Sequence, residues 1–144
     1  MDFVYKLWIH FKLLYLYLLY WFVGLTPEDY YTSKANYLAD LGHYNSAIKF
    51  YEIALSDSKD PRIYAWLGWC YLELDNNVMA VEYYRKAYEK IKNPAVLLGL
   101  AFAELNNNNK NISISLFDEL QKGEGSLNST EKIYFEKLKE KLEM

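Results

Sequence analysis

Apolar and small residues follow a helical period along most of the chain, from Glu28 to the C-terminus. In this part of the sequence Pro61 and Pro94 stand 33 residues apart, and short groups rich in Gly, Asn and Asp separate the apolar stretches. Such groups are typical of turns and helix ends, so we predict a series of helices joined by short turns. The predicted helices are residues 28–41, 44–57, 62–74, 77–91, 94–105, 109–121 and 129–143.

The sequence repeats itself at the spacing of the two prolines. Small residues recur at three positions of this repeat and large residues at two, which lets helices approach closely and fills the space beside them. A fixed period of this length indicates stacked helix pairs, each burying its apolar face against the next. The pairs, all 33 residues apart, are Ala35 with Gly68, Leu38 with Tyr71, Ala47 with Ala80, Tyr51 with Tyr84, and Ala54 with Ala87.

These residues resemble the tetratricopeptide repeat, a helix-turn-helix unit of about 34 residues. The stretch DLGHYNSAI, at 40–48, is similar to the family's turn and second-helix start, with Gly42 suited to a left-handed helix end. The resemblance implies an all-α solenoid, with a repeat domain at 26–144 and repeats at about 28–60, 61–93 and 94–122.

The third repeat is degraded. We expect its turn, the polyasparagine stretch at 106–109, to be about two residues longer than the turns before it, since Asn-rich composition suits a loop. The residues that stand for the small and large positions are Leu98, Gly99 and Phe102 in the first helix and Ser113, Phe117 and Leu120 in the second.

A last helix is predicted after a break at 122–126. Asn128 and Glu131 have the spacing of a capping box. Phe135, Leu138 and Leu142 then form one apolar stripe. This pattern indicates a cap helix that shields the open end of a helical array.

The N-terminal segment, Phe3 to Leu25, is apolar at nineteen of its 23 positions. As a helix it would be about 35 Å long, enough for a hydrocarbon core of roughly 30 Å. We therefore predict a single transmembrane helix in residues 1–25. A helix packed on the repeats or on a protein partner is the second alternative, and an interfacial or cleaved segment is the third. Bulky residues before Pro27 disfavour cleavage as a signal peptide.

Polar residues give this helix two distinguishable sides. Lys6, His10 and Tyr17 fall close to one line on a helical wheel, which we interpret as a face towards a partner helix in the membrane. Lys6 and Lys12 precede the apolar run and acidic residues follow it. The positive-inside rule then places the N-terminus in the cytoplasm and the repeat domain on the opposite side.

The family resemblance also implies a groove, lined mainly by the first helix of each pair, that holds a segment of a partner protein. Trp69 stands out because a groove aromatic can be an interaction hot spot, although packing against a neighbouring repeat or the N-terminal helix is an equal alternative. Thr32 and Ala65 stand where a clamp for a terminal carboxylate would need cations, so we do not expect such a clamp. The groove candidates are Asp29, Thr32, Asn36, Arg62, Ala65, Trp69, Glu73, Val96, Leu100 and Glu104, of which Asn36, Arg62, Trp69, Glu73, Val96 and Leu100 are the predicted partner-binding residues.

Composition narrows the function. The net charge of −3 and the scattered Lys and Arg residues disfavour nucleic-acid binding. Cys70 is the only cysteine and the chain has two histidines, too few for a plausible zinc site or a Cys–His nucleophile, so we expect a buried structural thiol. We expect no catalytic residues, no cofactor, no metal and no small-molecule substrate.

The function predicted from these features is protein binding. The chain is interpreted as a membrane-anchored adaptor, assembly factor or accessory subunit whose partners are membrane proteins. The alternative is a structural subunit that its N-terminal helix holds in a multisubunit membrane complex, with no peptide-binding role for the groove.

Overall fold

The computed structural model describes residues 2–58, 60–123 and 127–143, which form eight α-helices. All seven helices predicted after Glu28 are present with bounds that agree within one residue, so the all-α repeat fold is confirmed. Residues 124–126, part of the predicted break, lie outside the described residues. The helices are α1 (Asp2–Val23), α2 (Pro27–Asp40), α3 (Tyr44–Asp57), α4 (Arg62–Glu73), α5 (Asn77–Lys90), α6 (Pro94–Asn106), α7 (Lys110–Lys122) and α8 (Ser129–Glu143).

The chain divides into two compact units, which we call the N-terminal unit (residues 1–60) and the C-terminal unit (residues 61–144). In the N-terminal unit α2 and α3 pair through small residues, and Tyr51 is fully buried between them. The Tyr51 hydroxyl donates a hydrogen bond of 2.5 Å to Oδ1 of Asn36. This bond satisfies the polar end of an otherwise apolar core residue.

Helix α1 lies along α2 within the N-terminal unit. A half-buried stripe of Ile9, Leu13, Leu16 and Tyr20 recurs at helical spacing on one side of α1. The Tyr20 ring is 5.3 Å from the ring of Tyr30 on α2, centre to centre. The second of the three sequence-based alternatives, a helix packed on the repeats, is therefore the one that the contacts describe.

The predicted transmembrane helix needs correction. Within the described part of the chain, no helix is both long and apolar enough to cross a membrane. Helix α1 contains four tyrosines and two tryptophans, which the sequence pattern counted as apolar although their polar groups favour the edge of a bilayer over its centre. Lys6 and Lys12 add charge to the same helix. The predicted topology, with a cytoplasmic N-terminus and the repeat domain on the opposite side, depended on this transmembrane helix and is therefore not supported.

The three helix pairs have identical turns of three residues. The second residue of each turn has a left-handed backbone, with φ of 77° at Gly42, 56° at Asp75 and 63° at Asn108. The next N–H donates a 2.9 Å hydrogen bond to the carbonyl five residues earlier, which closes the helix end. Because the third turn has the length of the others, the expected longer turn was wrong.

The third repeat consequently keeps the 33-residue spacing. The alignment by sequence placed Gly99 and Phe102 at the positions of Gly68 and Tyr71, which is two residues too early in α6. The counterparts of Gly68 and Tyr71 are Ala101 and Glu104, both with no exposed surface. Oε1 of Glu104 accepts a 3.1 Å hydrogen bond from Nε of Arg85 and forms an ion pair with the same guanidinium, and Oε2 accepts a 2.8 Å bond from Asn109. These partners let a carboxylate occupy a position that is apolar in the other repeats.

The end of the C-terminal unit follows the prediction. The backbone N–H of Asn128 donates to Oε2 of Glu131, the N–H of Glu131 donates to Oδ1 of Asn128, and both distances are 2.9 Å. This reciprocal pair is the predicted capping box. Phe135 and Leu138 of α8 are buried, and the Phe135 ring stacks on Phe117 of α7 at 4.6 Å. Helix α8 therefore covers the apolar edge of the third repeat.

Candidate functional site

A groove runs along the C-terminal unit, with α4 and α6 on one side and the cap helix α8 on the other. Its volume is about 800 Å³. Four aromatic side chains line it, Trp69 from α4, Tyr84 from α5, Phe102 from α6 and Tyr134 from α8. The groove is thus a concave and mainly apolar surface, large enough to accept several side chains of a ligand.

Tyr84 forms the floor of the groove because two glycines leave room for its ring. A β-carbon at Gly68 of α4 would lie 2.8 Å from Cδ2 of the ring, and one at Gly99 of α6 would lie 2.4 Å from Cε1. Both distances are shorter than van der Waals contact, so a larger residue at either position would displace the ring. Three helices therefore meet at one aromatic side chain beneath the groove.

The α4 wall contains Trp69 and Glu73, two of the predicted partner-binding residues. They are four residues apart and therefore share one helix face. The indole N–H of Trp69 donates a 3.2 Å hydrogen bond to Oε1 of Glu73. This wall presents an apolar ring beside a carboxylate.

The α8 wall is aromatic and cationic. The ring of Tyr134 meets Phe102 edge to face, with centres 6.3 Å apart and planes at 89°. Nζ of Lys137 lies 5.1 Å from the centre of the Tyr134 ring, and Nζ of Lys141 lies 5.7 Å from the centre of the Phe102 ring. These cation–π contacts hold two ammonium groups at the edge of an apolar surface.

The α8 wall was not predicted from the sequence, because the pattern of α8 was interpreted only as that of a cap helix. The signal was present in the spacing: Tyr134, Lys137 and Lys141 recur at i, i+3 and i+7, away from the core residues Phe135 and Leu138. One side of α8 closes the core and another faces the groove.

Two predicted groove residues on α6, Val96 and Leu100, are in the core instead. They are 4% and 5% exposed and pack with Ala80, Val81 and Ala87 of α5. The two-residue register error explains this, because two residues turn a helix by about 200° and so select its opposite side. Glu104 was assigned to the groove for the same reason, although it is fully buried. At the correct spacing of 33, the counterparts of Ala65, Trp69 and Glu73 are Leu98, Phe102 and Asn106, which all line the groove.

The other groove candidates lie elsewhere. Asn36 belongs to the N-terminal unit, as do Asp29 and Thr32, and its amide oxygen accepts the hydrogen bond from Tyr51. The guanidinium of Arg62 lies 5.7 Å from the centre of the Trp66 ring, and Arg62 is not among the residues that line the groove. Binding roles for Asn36, Arg62, Trp69 and Glu73 remain predictions.

The predicted polar face of α1 is exposed. A ring nitrogen of His10 is 2.7 Å from the carbonyl oxygen of Lys6, and the hydroxyl of Tyr17 accepts a 3.1 Å hydrogen bond from the Trp21 indole. These bonds are all within α1, and a partner-binding role for Lys6, His10 and Tyr17 likewise remains a prediction.

The only cysteine, Cys70, is buried in the core of the C-terminal unit and does not line the groove. Burial, with a smaller contribution from Glu73, raises the pKa of the Cys70 thiol to about 12, so the reactive thiolate is scarce at neutral pH. Burial also raises the pKa of Tyr84, which therefore keeps its proton. Among the described residues, no three His, Cys, Asp or Glu side chains are placed to hold a metal ion.

Known proteins share this architecture. The family model described as tetratricopeptide repeat matches residues 28–56 and 61–89. The Sgt2 TPR domain from Aspergillus fumigatus is similar with a TM-score of 0.70 and 20% identity over 83% of this chain and 81% of that one. The Arabidopsis OM64 TPR domain has a TM-score of 0.67 and 21% identity over 78% of this chain and 94% of that one.

A longer protein is also similar. Yeast Tom70 has a TM-score of 0.64 and 26% identity over 77% of this chain, which spans only 23% of Tom70. No curated protein sequence matches the chain. The chain therefore contains two tetratricopeptide repeats, at residues 28–56 and 61–89, followed by a third helix pair with the same turn and by a cap helix.

Proposed function

We propose that the chain binds a segment of a partner protein in the groove of the C-terminal unit and acts as an adaptor or assembly factor. The observation that supports this most is the convergence of Trp69, Phe102 and Tyr134 from three helices on one concave surface. Large aromatic side chains in a groove are the typical anchors of protein interfaces. Repeat proteins of this kind are protein-interaction scaffolds, and nothing in the groove requires a chemical step.

The charges along the groove indicate the kind of segment that fits. Its lining has four carboxylates, from Glu73, Asp75, Glu131 and Glu140, and two ammonium groups, from Lys137 and Lys141, which leaves a net charge of −2. We therefore expect the segment to combine one or two apolar side chains, which would contact the aromatic rings, with at least one Lys or Arg.

Peptide selection tests the proposal. Peptides selected from a random library on the full-length chain are synthesised, and their affinity is measured by fluorescence anisotropy. We expect Tyr134→Ala to weaken binding about tenfold, because it removes an exposed aromatic anchor. Ile133→Ala is the matched control, since Ile133 is the adjacent residue, is 58% exposed and does not line the groove.

A second matched pair lies on α4, where Trp69 lines the groove and Trp66 does not. Trp69→Ala should weaken binding and Trp66→Ala should not. If the selected peptides bound the Tyr134→Ala and Trp69→Ala variants as tightly as the unmodified chain, the groove would not be the binding site and the proposal would be wrong.

A further inference from the structure

The side of α1 that is turned away from α2 is apolar along its whole length. At about 100° per residue, eight described residues fall within roughly 60° of one line along the helix. None of them is charged, and they are 42% to 84% exposed. We call them the outer face: Val4, Leu7, Phe11, Leu14, Tyr15, Leu18, Trp21 and Phe22.

The outer face is too large to be an ordinary surface feature. Eight large side chains at these exposures present on the order of 1,000 Å² to solvent, whereas the largest apolar patch of a monomer is a few hundred Å². A patch of this size marks an interaction site. It belongs to the N-terminal unit and is distinct from the groove described above.

Positive groups border the outer face on both sides. On the helical wheel Lys12 lies beyond one edge and Lys6 beyond the other. Nζ of Lys12 lies 5.2 Å from the centre of the Trp8 ring and 5.3 Å from that of Tyr37 on α2, so this charge stays beside the face. From Phe3 to Val23 the sequence contains no carboxylate.

We infer that the outer face is embedded in the surface of a lipid bilayer that contains anionic lipids, with α1 lying parallel to the membrane. An apolar helix face with tryptophan among its residues and lysines along its edges is the typical interfacial helix. Anionic headgroups complement the lysines, and the aromatic rings of Tyr15 and Trp21 suit the depth at which headgroups meet acyl chains.

A second copy of the chain fits this face less well than a bilayer does. Whether two α1 helices paired parallel or antiparallel, each edge of one outer face would meet an edge of the other. Both edges carry a Lys and neither carries a carboxylate, so like charges would be placed together without compensation. Charge complementarity therefore favours the anionic bilayer.

Vesicle flotation of the full-length chain tests the inference. The probes are vesicles of phosphatidylcholine and vesicles of phosphatidylcholine mixed with phosphatidylserine. We expect the chain to bind the mixed vesicles about tenfold more tightly than the neutral ones, and this difference should shrink as salt is raised. The double variant Phe11→Asp/Leu18→Asp should lower binding to both vesicles by about tenfold or more, because it puts two charges in the centre of the outer face.

Two further variants keep the test decisive. Val78→Asp is the matched control for an added charge, since Val78 is 66% exposed on α5, and it should bind like the unmodified chain. Lys6→Glu leaves the outer face intact and should remove only the preference for phosphatidylserine. Circular dichroism of each variant verifies that the helices are retained.

Fluorescence places the helix in the bilayer. Phospholipids brominated on their acyl chains should quench part of the tryptophan emission, and Trp21→Phe should remove much of that quenching while vesicle binding persists. The inference would be overturned by a lack of vesicle binding, by equal binding of the double variant, or by self-association without lipid that the double variant abolishes. Groove variants such as Tyr134→Ala should leave vesicle binding unchanged, so the two proposals can fail separately.

Discussion

A single buried carboxylate shows how far one residue can depart from its repeat. Glu104 occupies the position of Leu38 and Tyr71 in the other repeats and has no exposed surface. Its charge is tolerated because Arg85 and Asn109 supply hydrogen bonds to both carboxylate oxygens. A buried pair of this kind stabilises a fold little compared with a well-packed apolar residue, but losing one partner is costly.

This contrast predicts opposite results for the two partners. Arg85→Ala should lower the free energy of unfolding by about 2 kcal/mol, because it removes the cationic partner of the buried Glu104 carboxylate. Glu104→Leu should leave stability unchanged or raise it by about 1 kcal/mol. Urea denaturation measures both effects. Glu82→Ala, which breaks the exposed pair with Lys86, should change stability by less than about 0.5 kcal/mol.

Equal losses of stability in the Arg85→Ala and Glu104→Leu variants would contradict this prediction.

Glu104 also explains why the register of the third repeat was predicted wrongly from the sequence. A periodic pattern expects an apolar side chain at position 104, so the alignment followed Phe102 instead and inserted two residues into the turn. The cationic partner of Glu104, Arg85, is 19 residues away in the chain, and no local pattern reveals it.

At the scale of elements, the turns set the register of the repeats. The left-handed residue is Gly42 in the first turn, Asp75 in the second and Asn108 in the third. Asp and Asn tolerate this conformation better than most residues, and Gly adopts it without strain. The helix bounds were predictable from sequence because these turns, the prolines and the capping box are local signals. The α8 wall of the groove was not predicted, because local signals do not show which side of α8 faces α4 and α6.

Turn substitutions test this description. Gly42→Ala should lower the free energy of unfolding by about 1 kcal/mol, because the residue has φ of 77°. The cost is one of backbone conformation, since an added β-carbon would have no neighbour within 4 Å. Asp75→Gly should raise stability by up to about 1 kcal/mol. Thermal unfolding measures both.

His43→Ala is the control for these turn variants, because His43 has φ of −84° and its side chain makes no capping hydrogen bond. It should change stability little. If Gly42→Ala were as stable as His43→Ala, the left-handed conformation would not be the origin of the effect.

At the scale of the whole molecule, the C-terminal unit depends on its last helix. Leu138 of α8 is completely buried, and Phe135 and Leu127 beside it are almost so. Cys70 of α4, the only cysteine, is buried in the same unit and its thiol has a pKa of about 12. A thiol reagent at neutral pH therefore reports opening of the unit at a single position.

Leu138→Ala should lower stability by about 2 to 5 kcal/mol, because it leaves a cavity in the core. If the unit opens cooperatively, alkylation of Cys70 under native conditions should accelerate by more than tenfold, although Cys70 and the substitution are on different helices. Mass spectrometry of the alkylated chain gives the rate. Ile133→Ala, an exposed position on α8, should leave it unchanged. An unchanged rate in the Leu138→Ala variant would mean that α4 and α8 open independently.

The ring of Tyr84 has a consequence for the kinetics of binding. Because Gly68 and Gly99 fix the spacing of α4 and α6 against one side chain, the groove is pre-organised before any ligand arrives. A ligand that enters it loses its own conformational freedom but does not have to order the receptor. Related ligands should then have similar association rate constants, and their affinities should differ through their dissociation rate constants.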